Sequence, residues 1–201
     1  MHPTSSDAVL VERFGPQTGT GLRIKQLALV LFGVLTLAVS AKIQVPVWPS
    51  PVPITLGTFA VLSIGAAYGT RLGLVTMLAY LLIGALGYDV FAGSSAEANG
   101  LTYMMGGTGG YLLGYVLATL VLGQLAARGW DRSVLRMVVA LLIANALIYV
   151  PGLLWLGQLY GWDKPILAWG LTPFLVGDAL KLALVAVLLP ALWKLVGGAR
   201  S

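Results

Sequence analysis

The stretch PFLVGDALKLALVAVLLPALW, residues 173–193, decides the fold. It is nearly all Leu, Val and Ala, and a bilayer-crossing helix needs about 20 such residues. Yet Asp178 and Lys181 stand in it, three residues apart and opposite in sign. The rest of the chain offers no wet surface that could enclose this run as a soluble core. Of 201 residues, 58% are hydrophobic and 9% charged, with a mean hydropathy of +0.90. A soluble domain carries about 25% charged residues. The chain therefore reads as an all-α integral membrane protein.

Working outward from that segment, the same criterion finds six spans. They are expected at about 26–45, 54–69, 72–90, 103–127, 134–158 and 174–196. The proline run VPVWPSPVPIT (45–55) ends the first, because Pro46, Pro49, Pro51 and Pro53 forbid a helix. YGTRLG (68–73) reads as a tight turn between the second and third. Residues 166–173 read as partly helical at the interface. Pro190 is expected to bend or end the last helix. The domain plan is a polar tail over 1–24, one membrane domain over 25–197 and a short tail over 198–201. The first twenty residues hold Asp7, Glu12 and Arg13 and no apolar core, so they read as a cytoplasmic tail and not as a signal peptide.

Charge placement sets the expected orientation. Six spans leave both termini on one side. Arg13, Arg23, Lys25, Arg71, Arg128, Arg132, Arg136, Lys194 and Arg200 fall on that side, against Lys42, Lys164 and Lys181 toward the other. Cytoplasmic loops are the Lys/Arg-rich ones, so both termini are expected in the cytoplasm. Trp48, Trp155, Trp162 and Trp169 would then form an outer aromatic belt. This scatter of basic residues, despite a pI near 9.6, suits membrane topology and not a nucleic-acid partner.

The residues also exclude chemistry. There is no cysteine, and the one histidine is His2. Thiolate nucleophiles, histidine bases and most catalytic metal sites are thereby removed. No Gly-x-Ser-x-Gly motif occurs, so an intramembrane enzyme would be left with Ser, Lys or Asp chemistry. No phosphate-binding loop occurs either, so any ATP-driven step must lie on a partner.

In the last span, Asp178 and Lys181 share a helix face and lie about 6 and 10 Å below the outer end. Ionisable residues in a span usually face a cavity or the bundle interior. One reading is an internal salt bridge that locks packing, or a Lys181 that snorkels outward. The other is a site whose carboxylate accepts, and whose ammonium donates, hydrogen bonds to a polar ligand from outside. Gly177 would let a ligand or another backbone approach closely.

GDALK (177–181) takes its place in a series with VPVWPSPVPITLGTFAVLSIGAAYGTRLG (45–73), AYLLIGALGYDVFAG (79–93), GGTGGYLLGY (106–115) and LIYVPGLLWL (147–156). In this order, over about 40–190, the chain resembles the BioY family, the substrate-binding S components of biotin transporters of the energy-coupling factor type. The resemblance implies six helices with both termini inside, biotin captured at the outer face of a bacterial cytoplasmic (inner) membrane, and no enzymatic activity. It implies biotin as substrate and no cofactor. It also implies partners: a membrane coupling protein and ATPase subunits that carry the ATP. A homo-oligomer is compatible with it. An S component for another vitamin, or an ion-coupled carrier using Asp178, is the alternative; a carrier would often show repeats or broken helices, and no clear repeat is seen.

Biotin has a ureido ring with two N–H donors and one carbonyl acceptor, a thioether ring, an apolar chain and a carboxylate. Its pocket should be apolar with a few aimed polar groups. Asp178 suits the ureido N–H groups and Lys181 an acceptor oxygen, and the resemblance supports both as ligand contacts. The sequence does not assign which end of biotin each meets. In GGTGGY (106–111), Thr108 and Tyr111 offer hydroxyls, while the glycines equally suit a close helix–helix contact. Asn145, mid-span, lines the pocket or bonds a neighbouring helix. Gln44, Thr55 and Trp48 flank the outer opening. The 91–102 loop, with Ser94, Ser95, Glu97 and Asn99, is a candidate lid. In the first span, Gly33, Thr36, Ser40 and Ala41 are small, but the Ala-xxx-Ala docking pattern of many S components is absent. That leaves open how far the chain depends on a coupling module.

Overall fold

The computed structural model describes residues 9–93 and 98–198. Its helices are α1 (Gly19–Lys42), α2 (Gly57–Ala85), α3 (Gly100–Met104), α4 (Gly109–Ala127), α5 (Val134–Tyr160), α6 (Ile166–Gly170) and α7 (Leu175–Gly198). The strands β1 (Gln44–Val45) and β2 (Ile54–Thr55) pair antiparallel across the proline run. Among the described residues, five helices are long and apolar enough to cross a membrane: α1, α2, α4, α5, and α7 with its lead-in.

The expected second and third spans are fused in α2, but the expected turn is there. Gly69 has φ +72° and ψ −178°, outside the helical region, where glycine is the residue least strained. A methyl group on Gly73 would lie 3.8 Å from the Cα of Gly65. Eight residues of unbroken helix would separate the two by about 12 Å, so the chain folds back at Gly69. The arm over 57–68 is about 18 Å long, short of the roughly 30 Å hydrocarbon core. Length alone takes the two arms as one 29-residue helix, and so counts five spans where the sequence suggested six.

Other boundaries shift for local reasons. α1 runs from Gly19 to Lys42 and not over 26–45, because the β1–β2 pair takes up the chain directly after it. The expected 103–127 span begins only at Gly109; its first part is the separate α3, and the glycines at 106 and 107 lie between the two. Pro190 does not end α7, which continues to Gly198. The partly helical 166–173 stretch is α6 followed by a 3-10 turn, Thr172–Phe174.

α2, α4 and α5 form the closely packed centre, with α1 and α7 outside it. Leu62, Met77, Leu122, Met137, Leu141, Ile148 and Leu156 fill that centre and are essentially inaccessible. Small residues permit the approach, as expected of helices packing in lipid. A methyl on Gly114 would meet the Cα of Ile148 at 2.6 Å, and one on Gly110 the carbonyl of Pro151 at 2.3 Å. Outward faces are apolar: Leu27, Leu31 and Leu35 of α1 and Val176, Leu180 and Leu184 of α7 are all exposed. In water such faces would drive aggregation; in a bilayer they meet their solvent. The chain is a multi-pass membrane protein.

One end of the bundle is closed by a basic cluster. A 3-10 turn, Leu10–Arg13, lies there, with Val9 against Gly69. The guanidinium groups of Arg132 and Arg13 stand 4.6 and 5.5 Å from the centre of the Trp193 ring. The indole N–H of Trp193 donates to Asp131 Oδ2. Burial pushes the Asp131 carboxyl up to about 6, against the lowering effect of the Trp193 bond and the Arg132 charge.

Candidate functional site

At the other end the bundle is hollow. The proline run keeps 46–53 out of helix, and the β1–β2 pair, with Gln44 opposite Thr55, returns the chain to the end of α1. α2 thus starts at Gly57, leaving the carbonyl of Thr55 outside the helix and placing Thr58 in its first turn. Non-helical backbone is tolerated at membrane depth where it lines a cavity, and this segment does so. The cavity holds about 680 Å³ of empty space counting its mouth. Leu37 and Ala41 of α1, Phe91, and tyrosines 80, 103, 111, 115 and 149 are part of its wall.

Its polar groups converge on the charged pair of α7. Asp178 is 2% exposed. Lys181 Nζ donates to Thr55 O at 2.7 Å, Asp178 Oδ1 at 2.9 Å and Thr58 Oγ1 at 3.0 Å. An ammonium has three protons, and all three are engaged. Asp178 Oδ1 also accepts from Thr58 Oγ1 at 3.3 Å, and Oδ2 accepts from the Tyr149 hydroxyl at 2.6 Å. A carboxylate has about four acceptor positions and a hydroxyl two. Among the described residues, one position therefore stays open on Oδ2, one on Thr58 Oγ1 and two on the Tyr149 oxygen. What the cluster has left to offer is acceptors only, with no net charge.

Of the residues singled out from sequence, Asp178, Lys181, Thr55, Thr108 and Tyr111 line this one cavity. The Tyr111 hydroxyl is spent on Gly170 O at 2.7 Å. Gln44 is exposed in β1, and Trp48, at 93% exposure, points away from any wall; neither lines the cavity. Asn145 does not line it either, and its buried Oδ1 has no hydrogen-bond partner among the described residues. Gly177 approaches nothing closely; its nearest neighbour would be an Ile54 methyl at 4.0 Å. The glycines 109, 110 and 114 serve the α4–α5 contact. Of the candidate lid, Ser94, Ser95 and Glu97 lie outside the described residues, and Asn99 is not in the cavity wall.

Sequence reading missed Thr58 and Tyr149, the two hydroxyls on Asp178. They stand 120 and 29 residues from it along the chain. Tyr149 lay inside the quoted LIYVPGLLWL stretch, and Thr58 follows Thr55 by three residues at a helix start. Nothing in either position marks it as a carboxylate ligand before the helices are packed.

Comparison with known proteins places this geometry. The BioY family matches residues 14–198. The chain belongs to the BioY family. A probable biotin transporter BioY from Pyrococcus horikoshii is 35% identical over 167 residues, 83% of this chain and 95% of that one. The biotin transporter BioY of Thermotoga maritima is 31% identical over 169 residues, 83% and 96% of the two chains. A crystal structure of the S-component for biotin from an ECF-type ABC transporter superposes with a TM-score of 0.73 at 21% identity. That match covers 88% of this chain and 95% of the other. The cavity and its charged pair are thus set in a BioY chain with the S-component fold.

Proposed function

We propose that the chain binds biotin in this cavity and is the substrate-binding component of a biotin uptake system. Membership of the BioY family supports the substrate. The observation that carries the docking mode is the acceptor-only remainder of the Asp178 cluster. The ureido ring carries one N–H on each side of its carbonyl, and one of them fits the open position on Asp178 Oδ2. Lys181, fully engaged within the protein, acts by neutralising and aiming Asp178. The sequence had suited it to an acceptor oxygen of the ligand. The apolar chain and carboxylate then extend along the aromatic wall toward the mouth. Preformed, satisfied polar groups in a dry wall cost little reorganisation on binding.

Six crossings, both termini in the cytoplasm and a cavity facing outward are the topology we favour. The eight described basic residues of the closed end support it: Arg13, Arg23, Lys25, Arg71, Arg128, Arg132, Arg136 and Lys194. The membrane is then the cytoplasmic membrane. ATP hydrolysis and the inward step belong to a coupling membrane protein and ATPase subunits, because the chain has no phosphate-binding loop. An ion-coupled carrier would need Asp178 to meet a cation or proton, and the ammonium of Lys181 already holds that place at 2.9 Å.

The test is a biotin titration of the purified chain beside Asp178→Asn and Lys181→Met. The expected result is saturable binding by the wild type, lost or weakened at least about tenfold in both variants, as for a buried charged hydrogen bond. No binding by the wild type would overturn the function; unchanged affinity in both variants would overturn the site.

A further inference from the structure

We propose that Tyr149 is a specificity-determining residue that acts through Asp178, making the site select a neutral urea over a charged head group. The inference rests on the biotin reading and goes beyond it, since it concerns a residue that need not touch the ligand.

Tyr149 is buried, and its hydroxyl donates to Asp178 Oδ2 at 2.6 Å. Its ring is held edge-on by Tyr111, with ring centres 6.1 Å apart at 86°, and tilted against Phe174 at 6.3 Å. Tyr111 is itself tied to Gly170 O. The donor is thus fixed by packing. Its consequence follows from counting. Oδ1 is filled by Lys181 and Thr58, so Oδ2 is the oxygen left for a ligand, and Tyr149 takes half of it. One remaining acceptor on Oδ2, with charge already balanced by Lys181, matches one N–H of a neutral urea. Without the Tyr149 hydroxyl, Oδ2 would present two open positions and a carboxylate short of donors. Ionised donors make hydrogen bonds about twice as strong as neutral ones, so a cationic head would gain most from that change. Tyr149 is therefore a positioning residue that holds down the affinity of charged analogues.

The experiment compares biotin with its cyclic guanidine analogue, in which nitrogen replaces the ureido oxygen and the ring is cationic at neutral pH. Both are titrated into the wild type, Tyr149→Phe and Thr58→Val. In Y149F, biotin keeps its one bond to Oδ2 and should change little, while the cationic analogue gains the freed position and should bind more tightly, so the preference for biotin narrows by about tenfold. T58V frees a position on Oδ1 and should move the ratio the same way, which keeps the test open if Y149F folds poorly. An unchanged ratio of the two affinities in both Y149F and T58V would overturn the inference and leave the biotin reading standing. A wild type that binds no biotin would overturn both.

Discussion

Replacing Lys181 by Met should unfold the protein more readily than the loss of one side chain from a cavity wall suggests. Lys181 has a side-chain exposure of 11% and Asp178 of 3%. Removing the ammonium leaves a buried carboxylate with only Thr58 and Tyr149 as donors, and leaves Thr55 O without its partner. Breaking a buried pair by taking one member costs about 3–5 kcal/mol, because the other charge remains uncompensated. For a chain of this size that corresponds to a fall in Tm of roughly 10 °C. The pair itself need not stabilise: replacing both members by apolar residues of similar volume is often neutral or better. Asp178→Leu combined with Lys181→Met should therefore melt well above K181M and near the wild type, while binding no biotin. Thermal unfolding of the detergent-solubilised proteins, followed by circular dichroism, reads the first effect, and calorimetric titration reads the second. A K181M protein as stable as the wild type, or a double variant no more stable than K181M, would refute the reasoning.

Gly114→Ala should cost about 1–3 kcal/mol or more by overpacking, because its methyl meets the backbone of Ile148 at 2.6 Å; a Tm shift in the purified variant reads it. Tyr111→Phe strands the carbonyl of Gly170 and should cost about 1–3 kcal/mol, with faster amide exchange in α6 as the local signature. Asp131 gives a pH effect. Its folded value, about 6, lies above its ordinary 3.8, so its contribution is fully present below about 3.8 and is lost as pH rises through 6. Asp131→Asn should remove that dependence, gaining up to about 3 kcal/mol on the wild type between pH 4 and pH 8. Equal melting differences at both pH values would show that Asp131 is not buried as an ionising group.

Much of this was legible along the chain because lipid imposes its demands segment by segment. Each span must satisfy its own backbone and be apolar over its length, so α1, α4, α5 and α7 could be read locally, as could the non-helical proline run. Asp178 and Lys181 stood out for the same reason: a charge inside a greasy helix is costly unless something faces it. The turn at Gly69 was legible too, in YGTRLG. The boundaries of α1 and α4 were less so, because they depend on the β1–β2 hairpin and on the glycines at 106 and 107, which leave no hydropathy signal.

The sequence by itself determined that this is a membrane helical bundle with a paired charge near one end of its last helix. Through its motifs it also determined the family. Only the tertiary structure decided what the pair faces. Thr55, Thr58 and Tyr149 reach Asp178 and Lys181 from β2, from the start of α2 and from α5. Hydrogen bonds across such separations arise from packing, and one-dimensional periodicity carries no record of it. The same packing sent Asn145 and Gln44 elsewhere, and it engaged all three protons of Lys181 within the protein.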